Sequence, residues 1–257
     1  MKEGQRLWTR DELILAINLY CKLTFGKMHN RNPQIQELAK LIHRTPGSIA
    51  FKLGNFAHFD PTLKARGIGG LPNASKLDGQ IWNEFYNNWD AALIESEKLL
   101  AKKKNTTIEK LNHVDVNEIF KVGMDNERMV KVRVNQIIFR TMILANYNYC
   151  CCITGISNPE LLIASHILPW SFDEKNRLNP MNGLALNALH DRAFDNHLIT
   201  VDADTYKIKV SSKLKTKNAV KSIQQNFLKY EGKEIFLPDK FLPEKQFLRV
   251  HNSNFIS

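Results

Sequence analysis

Three side chains between residues 166 and 195 have types and spacing that could do chemistry together. His166 belongs to the apolar, β-prone segment 161–168, so a strand would fix the direction of its imidazole. Asp191 and Asp195 are four residues apart in a predicted helix and therefore share one face. Two like charges there repel, and either a bound divalent cation or a Lys or Arg from elsewhere would remove that cost. A neutral histidine opposite a cation is what metal-assisted phosphodiester cleavage requires.

Asn182 lies between these two elements. The segment 169–180 holds Pro, Ser, Asp and Asn in turn-forming combinations, which predicts a surface loop ended by Asn182. From there, Leu184, Leu186 and Leu189 lead into the predicted helix. Each residue alone has an ordinary explanation, because a histidine in an apolar strand is usually a core residue and paired aspartates are usually a solvated face. The order and spacing of the set are what indicate a site.

This arrangement resembles the HNH, or ββα-metal, endonuclease family, in the subgroup with Cys-x-x-Thr-Gly on its first strand and His-x-x-x-Phe-Asp on its helix. The resemblance covers roughly residues 133–257 and implies a ββα-metal nuclease domain. It makes His166 the general base, Asn182 the residue that braces the loop, and Asp191 and Asp195 metal ligands. His190, one residue earlier, is an alternative ligand. Many relatives have Asp or His where this chain has Ser165.

The resemblance also implies a divalent cation, Mg²⁺ or Mn²⁺, as cofactor. Some members hold a structural zinc with two Cys-x-x-Cys pairs, but this chain has Cys21 and the run 150–152 without a second pair, and Asn187 lies where one would occur. We therefore expect no structural zinc. Adjacent cysteines do not readily pair, and no signal peptide is visible, which favours a cytoplasmic protein without a disulfide framework.

Composition favours a polyanionic partner. The 257 residues are 43% hydrophobic, with no apolar run long enough to span a bilayer, so no membrane partner is expected. The 36 basic and 26 acidic residues give a net charge of +10 and a pI near 9.4, which favours nucleic acid, with duplex DNA as the first choice. Cutting both strands with one site per chain would suit a homodimer.

The first hundred residues predict a helical bundle. Thr9-Arg10-Asp11-Glu12 fits a capping box, and Asn32-Pro33 and Thr45-Pro46 open a second and a third helix. The very short link between the last two is typical of a helix-turn-helix, although an ordinary three-helix bundle with a solvated face has the same pattern. An aromatic stripe of Trp82, Phe85, Tyr86 and Trp89 predicts a fourth, packing helix. The predicted DNA contacts in this region are Arg44, Ser48, Lys52 and Asn55.

The whole chain is thus predicted to be α+β, with a helical DNA-recognition domain at 1–100, a linker at 101–130 and a nuclease domain at 131–257. Residues 130–140 alternate basic and apolar side chains ahead of the first nuclease strand, and a helix is predicted at 135–145. Arg133 and Arg140 in this segment are further candidates for phosphate contact. Beyond the site, residues 199–201 and 206–210 predict a β-hairpin. The favoured function is a restriction or defence endonuclease, and the alternatives are a non-catalytic DNA-binding regulator and an RNA- or structure-specific nuclease.

Overall fold

The computed structural model describes residues 6–71, 73–116, 126–216 and 220–256. The chain is helix-rich, with small antiparallel sheets, and forms two compact units, 1–142 and 143–257. The division lies within a long helix, so it differs from the expected boundaries at 100 and 130. The expected linker 101–130 includes the end of one helix and the whole of a short one, and its residues 117–125 lie outside the described ranges.

The first unit is built from helices joined by turns. In chain order they are α1 Arg10–Lys22, α2 Pro33–Leu41, α3 Pro46–Ala57, α4 Pro61–Ala65, α5 Lys76–Asn87, α6 Trp89–Lys103, α7 Ile108–Leu111 and most of α8 Asn126–Asn146. Helix α1 lies at the centre of this unit, since it packs against α2, α3, α5 and α6 and buries most of its residues. No helix in the described ranges is long and apolar enough to cross a bilayer.

The predicted starts of the first three helices are confirmed. The Thr9 hydroxyl accepts from the Glu12 N–H at 3.3 Å, while the Glu12 carboxylate accepts from the Thr9 N–H at 3.0 Å. Asn32 and Thr45 cap α2 and α3 with their side-chain oxygens, each ahead of a proline. Short polar side chains satisfy N–H groups that have no partner inside the helix, and this local chemistry can be recognised in sequence.

The aromatic stripe is divided between two helices, so the prediction of one fourth helix that includes Trp89 is wrong. Helix α5 buries Trp82 and Phe85 and ends at Asn87. Asn88 then breaks the helical path with φ −155°, and its side chain accepts from the Ala91 N–H at 3.2 Å to cap α6. An asparagine that offers the backbone a cap competes with helix continuation.

The second unit contains a hairpin followed by a helix. Strand β1 Leu162–His166 pairs antiparallel with β2 Gly183–Asn187, and helix α9 Ala188–Asp195 follows at once and packs on both strands. The sequence placed the helix in the segment that forms β2, because a short apolar run is ambiguous between strand and buried helix. Every residue of β2 is buried, which leaves no polar face to reveal its period.

The Cys-x-x-Thr-Gly motif forms a turn, so the expectation that it lies on a strand is wrong. The Gly155 N–H donates to the Cys151 carbonyl at 2.9 Å, with a φ of +75° that favours glycine. The Cys152 N–H donates to the Ala185 carbonyl of β2 at 2.8 Å, which ties the turn to the hairpin. Backbone hydrogen bonding therefore fixes the position of the Cys-x-x-Thr-Gly turn beside β2.

The predicted second hairpin is confirmed. Strands β3 Ile199–Val201 and β4 Ile208–Val210 pair antiparallel, and helices α10 Lys221–Asn226 and α11 Lys245–Ser253 follow. From α11, the His251 ring stacks on Phe194 of α9 with centroids 3.7 Å apart. Helix α11 thus packs against α9 and supports its position.

Candidate active site

His166 is the last residue of β1 and lies beside Gly183, the first residue of β2. Its Nε2 is 2.9 Å from the Arg177 backbone carbonyl oxygen. A carbonyl can only accept a hydrogen bond, so Nε2 carries the ring proton and donates. In the neutral ring the lone pair then belongs to Nδ1.

The imidazole of His166 is held in its neutral form. Burial lowers its pKa to about 4, and the hydrogen bond to the Arg177 carbonyl only partly opposes this effect. Removing an ionisable group from water disfavours its charged form, which for histidine is the protonated one. At neutral pH His166 is therefore an unprotonated imidazole, which is the form that a general base requires.

Asn182 braces the loop between the two strands. Its side chain is almost fully buried, and its Oδ1 accepts from the Leu168 N–H at 2.8 Å. Its Nδ2 donates to the Asn176 carbonyl at 3.0 Å and to the Leu168 carbonyl at 3.3 Å. The amide thus joins the start of the loop to its middle. These contacts fit the bracing role that the resemblance assigned to it.

Asp191 and Asp195 lie one turn apart on α9, and Asp191 is half-buried while Asp195 is exposed. Burial raises the pKa of Asp191, and the Ser165 hydroxyl and then Arg192 lower it in part. Burial also raises the pKa of Asp195, and the charge of Asp191 raises it further. Burial therefore disfavours the charged form of both carboxyl groups, and repulsion by Asp191 adds to this effect at Asp195.

These residues fit a divalent cation. Ser165 is buried, and its hydroxyl faces the Asp191 carboxylate and lowers its pKa. No group of three or more His, Cys, Asp or Glu side chains in that part could enclose a metal. Mg²⁺ rarely needs such a cage, because it usually binds one or two carboxylates and completes its shell with water and substrate phosphate. Asp191 and Asp195, one helical turn apart on α9, supply two carboxyl groups that meet that requirement.

His190 does not belong to this face, and its assignment as a metal ligand is corrected. Its side chain is buried, Nε2 lies 2.6 Å from the Asn226 carbonyl, and Nδ1 lies 2.9 Å from Nδ2 of Asn187. Both ring nitrogens are thus used inside the protein. On α9 the two aspartates and His190 lie on different faces. The packing of α9 decides which of these side chains is buried inside the protein, and the sequence did not show this.

The other side of His190 forms a polar cluster with the Cys-x-x-Thr-Gly turn. The Asn187 amide also lies 3.3 Å from the Thr154 hydroxyl and 3.7 Å from the Cys151 sulfur. Burial raises the pKa of the Cys151 thiol, but hydrogen bonds with His190 and Thr154 outweigh it and lower the pKa to about 7. One amide therefore connects the turn, the end of β2 and α9.

Arg192 is a candidate site residue that was not predicted from the sequence. It is exposed on α9, and its guanidinium makes no hydrogen bond or ion pair with the described residues. It is nevertheless near enough to lower the pKa of both Asp191 and Asp195. Its spacing could have indicated this role, because Arg192 follows Asp191 directly and lies three residues before Asp195 on the predicted helix.

Two of the expected DNA contacts in the first unit are corrected. Lys52 was predicted to contact DNA, but it is buried, and its Nζ lies 2.8 Å from both carboxylate oxygens of Asp78. The reason is its register, since it shares the apolar stripe of the helix. That stripe consists of Ile49, Lys52, Leu53 and Phe56.

Arg44 is likewise used within the protein. Its guanidinium donates to the Glu12 carboxylate at 2.8 Å and to the Leu7 carbonyl at 2.7 Å, and it lies over the Trp8 ring at 4.4 Å. Ser48 and Asn55 are half-buried, with Phe51 between them 66% exposed, so these three define the outer face of α3. On α8, Arg133 is exposed and Arg140 half-buried.

Residues 151–202 match the sequence profile of a family described as HNH endonuclease. The matched segment contains both strands of the hairpin, helix α9 and the four residues His166, Asn182, Asp191 and Asp195. It covers well under half of the chain. A search of curated proteins found no match. The segment match supports nuclease activity at the level of the family.

Proposed function

We propose that this chain is a metal-dependent DNA endonuclease that hydrolyses phosphodiester bonds with His166 as general base. The observation that carries the proposal is the state of His166. Its Nε2 donates to the Arg177 carbonyl, and its pKa of about 4 keeps a lone pair on Nδ1 at neutral pH. The imidazole ends the strand whose preceding residue, Ser165, faces the helix that carries Asp191 and Asp195.

In the proposed reaction His166 takes a proton from the attacking water through Nδ1. The water oxygen forms a bond to phosphorus, and the bond from phosphorus to the leaving oxygen breaks with its electron pair on that oxygen, which then takes a proton from solvent. Asp191 and Asp195 would hold the divalent cation, with the Ser165 hydroxyl beside them. Such a cation supplies charge stabilisation at the phosphate and at the leaving oxygen when it is bound.

Arg192 and Asn182 have supporting parts in this proposal. The Arg192 guanidinium is exposed beside both aspartates and is proposed to bind a phosphate oxygen of the substrate. Arginine suits this task because it is always charged and presents donors in a planar fork. Asn182 keeps the loop after β1 in the shape that places the Arg177 carbonyl against His166.

Duplex DNA is the proposed substrate, in keeping with the net charge of +10. In the first unit, the proposed contacts are Ser48 and Asn55 on the outer face of α3, with Arg133 and Arg140 on α8. Arg44 and Lys52 are not included, because their charges are already neutralised or bound within the protein. A restriction or defence role is proposed from the resemblance. A homodimer is proposed because one site per chain must cut two strands, and a cytoplasmic location because the cysteines, all of them in the described ranges, form no disulfide framework.

The second candidate is a DNA-binding regulator that does not cut. The observation that favours it is Ser165, whose hydroxyl is a weaker metal ligand than the carboxylate or imidazole of many relatives. Such a protein would bind DNA with and without metal and leave it intact.

Cleavage assays separate these candidates. Wild-type protein, His166→Gln and the control His29→Gln, which changes an exposed histidine of the first unit, are incubated with duplex DNA, single strands and RNA in Mg²⁺, Mn²⁺ or chelator. We expect metal-dependent duplex cleavage that falls by about 10²–10⁴ in His166→Gln, while its DNA affinity is retained. Near-normal turnover in His166→Gln would remove His166 from the mechanism. DNA binding without cleavage in any metal would favour the regulator, and cleavage confined to RNA or single strands would change the substrate.

A further inference from the structure

One arginine, Arg177, links separate parts of the loop after β1, residues 167–182. Arg177 donates from Nε to the Trp170 carbonyl at 2.9 Å, and its guanidinium lies over the Trp170 ring at 5.1 Å. Its Nη2 also lies 3.1 Å from the Glu174 carboxylate. Most of its side chain is removed from solvent, with 24% exposed. This arginine therefore closes the loop on itself.

Both partners in this closure also touch His166. The backbone carbonyl of Arg177 accepts from Nε2 of the imidazole at 2.9 Å. The Trp170 ring stands edge-on to the imidazole, with centroids 5.4 Å apart and an angle of 88°. A rotation of the imidazole by 180° would exchange its nitrogens for carbons, and so would break the bond to the carbonyl and place Nδ1 elsewhere.

We propose that Arg177 and Trp170 form a clip, defined by these two side chains, that fixes the tautomer and orientation of His166. Both are positioning residues, because they act through His166 and the clip requires no contact with substrate. The Arg177 side chain keeps its own carbonyl beside Nε2, and the indole blocks rotation of the ring. The role in cleavage rests on the proposed function, but the effect on the tautomer does not.

The clip also explains why the guanidinium is turned inward on a loop beside a nuclease site. An arginine that served only to attract phosphate would gain by facing solvent. Here the stacking on Trp170 and the bond to its carbonyl use the planar shape of arginine, which lysine does not have. Lysine at this position would keep the charge and lose the clip.

The test is nitrogen NMR of histidine-labelled protein at neutral pH, with the His166 signals assigned by their loss in His166→Gln. In wild-type protein we expect a single tautomer with the proton on Nε2. In Arg177→Lys and Arg177→Gln we expect both tautomers, or exchange broadening. The matched control is Lys175→Gln, which removes a positive charge from an exposed position of the same loop and should leave the single tautomer.

Trp170 supplies a second pair of variants, so that a folding defect in one variant does not decide the outcome. Trp170→Phe keeps an aromatic edge against the imidazole and should retain the single tautomer, whereas Trp170→Leu should lose it. In folded variants that lose it, the single-turnover rate should fall by about 10²-fold with DNA affinity unchanged, since small misplacements of a reacting group have such effects.

The two proposals fail differently. If Arg177→Gln and Trp170→Leu fold and both keep the single Nε2–H tautomer, the clip is overturned whatever the cleavage results are. If they scramble the tautomer while wild-type protein cuts no nucleic acid, the clip stands and the proposed nuclease function fails.

Discussion

Asp191 and Asp195 lie one helical turn apart on α9, where burial and then the charge of Asp191 raise the pKa of Asp195. Burial likewise raises the pKa of Asp191. The folded protein thus holds two carboxylates in a place that disfavours their charge. This cost to stability is the kind that functional sites carry, and it leads to a test that does not depend on catalysis.

The Asp191→Asn variant should be at least as stable as wild-type protein in the absence of metal. Added metal should not stabilise it further. The substitution removes one of two repelling charges, so the melting temperature in chelator should equal or exceed that of wild-type protein. Wild-type protein should gain about 2.7 kcal/mol at a metal concentration 100 times the Kd. Thermal unfolding with chelator and with Mn²⁺ measures both effects.

The control for this experiment is Glu160→Gln, which neutralises an exposed carboxylate of the same unit. It should keep the full response to metal. A variant Asp191→Asn that gains as much stability from Mn²⁺ as wild-type protein would mean that Asp191 is no ligand.

His190→Ala should reduce stability and spare metal binding. Its ring nitrogens lie within hydrogen-bond distance of the Asn226 carbonyl and the Asn187 amide, and buried partners left unsatisfied cost about 1–3 kcal/mol. Chemical unfolding gives the stability, and calorimetric titration with Mn²⁺ gives the affinity. If a folded His190→Ala binds no metal while Asp191→Asn binds it normally, the ligand is His190.

Lys52→Met should destabilise the first unit and leave the salt dependence of DNA binding unchanged. The Lys52 ammonium lies 2.8 Å from both oxygens of the buried Asp78, and removal of one partner of a buried pair costs about 3–5 kcal/mol. Unfolding by denaturant measures the loss, and DNA titration at several salt concentrations measures the slope.

Lys76→Met, which removes an exposed lysine from α5, is the matched control and should change stability little. The double variant Lys52→Met with Asp78→Asn should recover part of the loss, because the uncompensated carboxylate is gone. Wild-type stability of Lys52→Met together with a smaller salt slope would return Lys52 to the DNA interface.

The first unit should lose stability in acid through Glu12. Burial raises the pKa of this carboxyl, but hydrogen bonds from Arg44, the Thr9 backbone and Arg6 outweigh burial and lower it from 4.5 to about 2. A group whose pKa is lower in the folded state stabilises above its unfolded pKa. Its contribution is therefore complete above about pH 4.5 and is lost as the pH falls towards 2.

Unfolding of wild-type protein and Glu12→Gln between pH 7 and pH 2 measures this contribution. The difference in stability should be largest at neutral pH and shrink below pH 4.5. Asp11→Asn, at an exposed position in the first turn of α1, is the control for the loss of a charge and should cost less stability at neutral pH than Glu12→Gln. If the stability difference between wild-type protein and Glu12→Gln stays constant down to pH 2, the lowered pKa of Glu12 is contradicted.

The sequence by itself determined the features that depend on near neighbours. The caps at Thr9, Asn32 and Thr45 were predictable because each satisfies N–H groups within the next three residues. The order of His166, Asn182 and the two aspartates was likewise visible, and the match of residues 151–202 to HNH endonucleases supports its interpretation at the family level.

Only the tertiary structure decided which side of each element meets which partner. Strand β2 has no exposed face, so its sequence lacks the alternation of polar and apolar residues that indicates a strand. Its pairing with β1 is what makes it one. Lys52 is inside because Asp78, 26 residues away, neutralises it there, and His190 is inside because the Asn226 carbonyl accepts a hydrogen bond from its ring. The closure of Arg177 on Trp170, and of its carbonyl on His166, depends on the folded path of a loop. Such choices are made by contacts between residues distant in sequence, which no local pattern of residue types encodes.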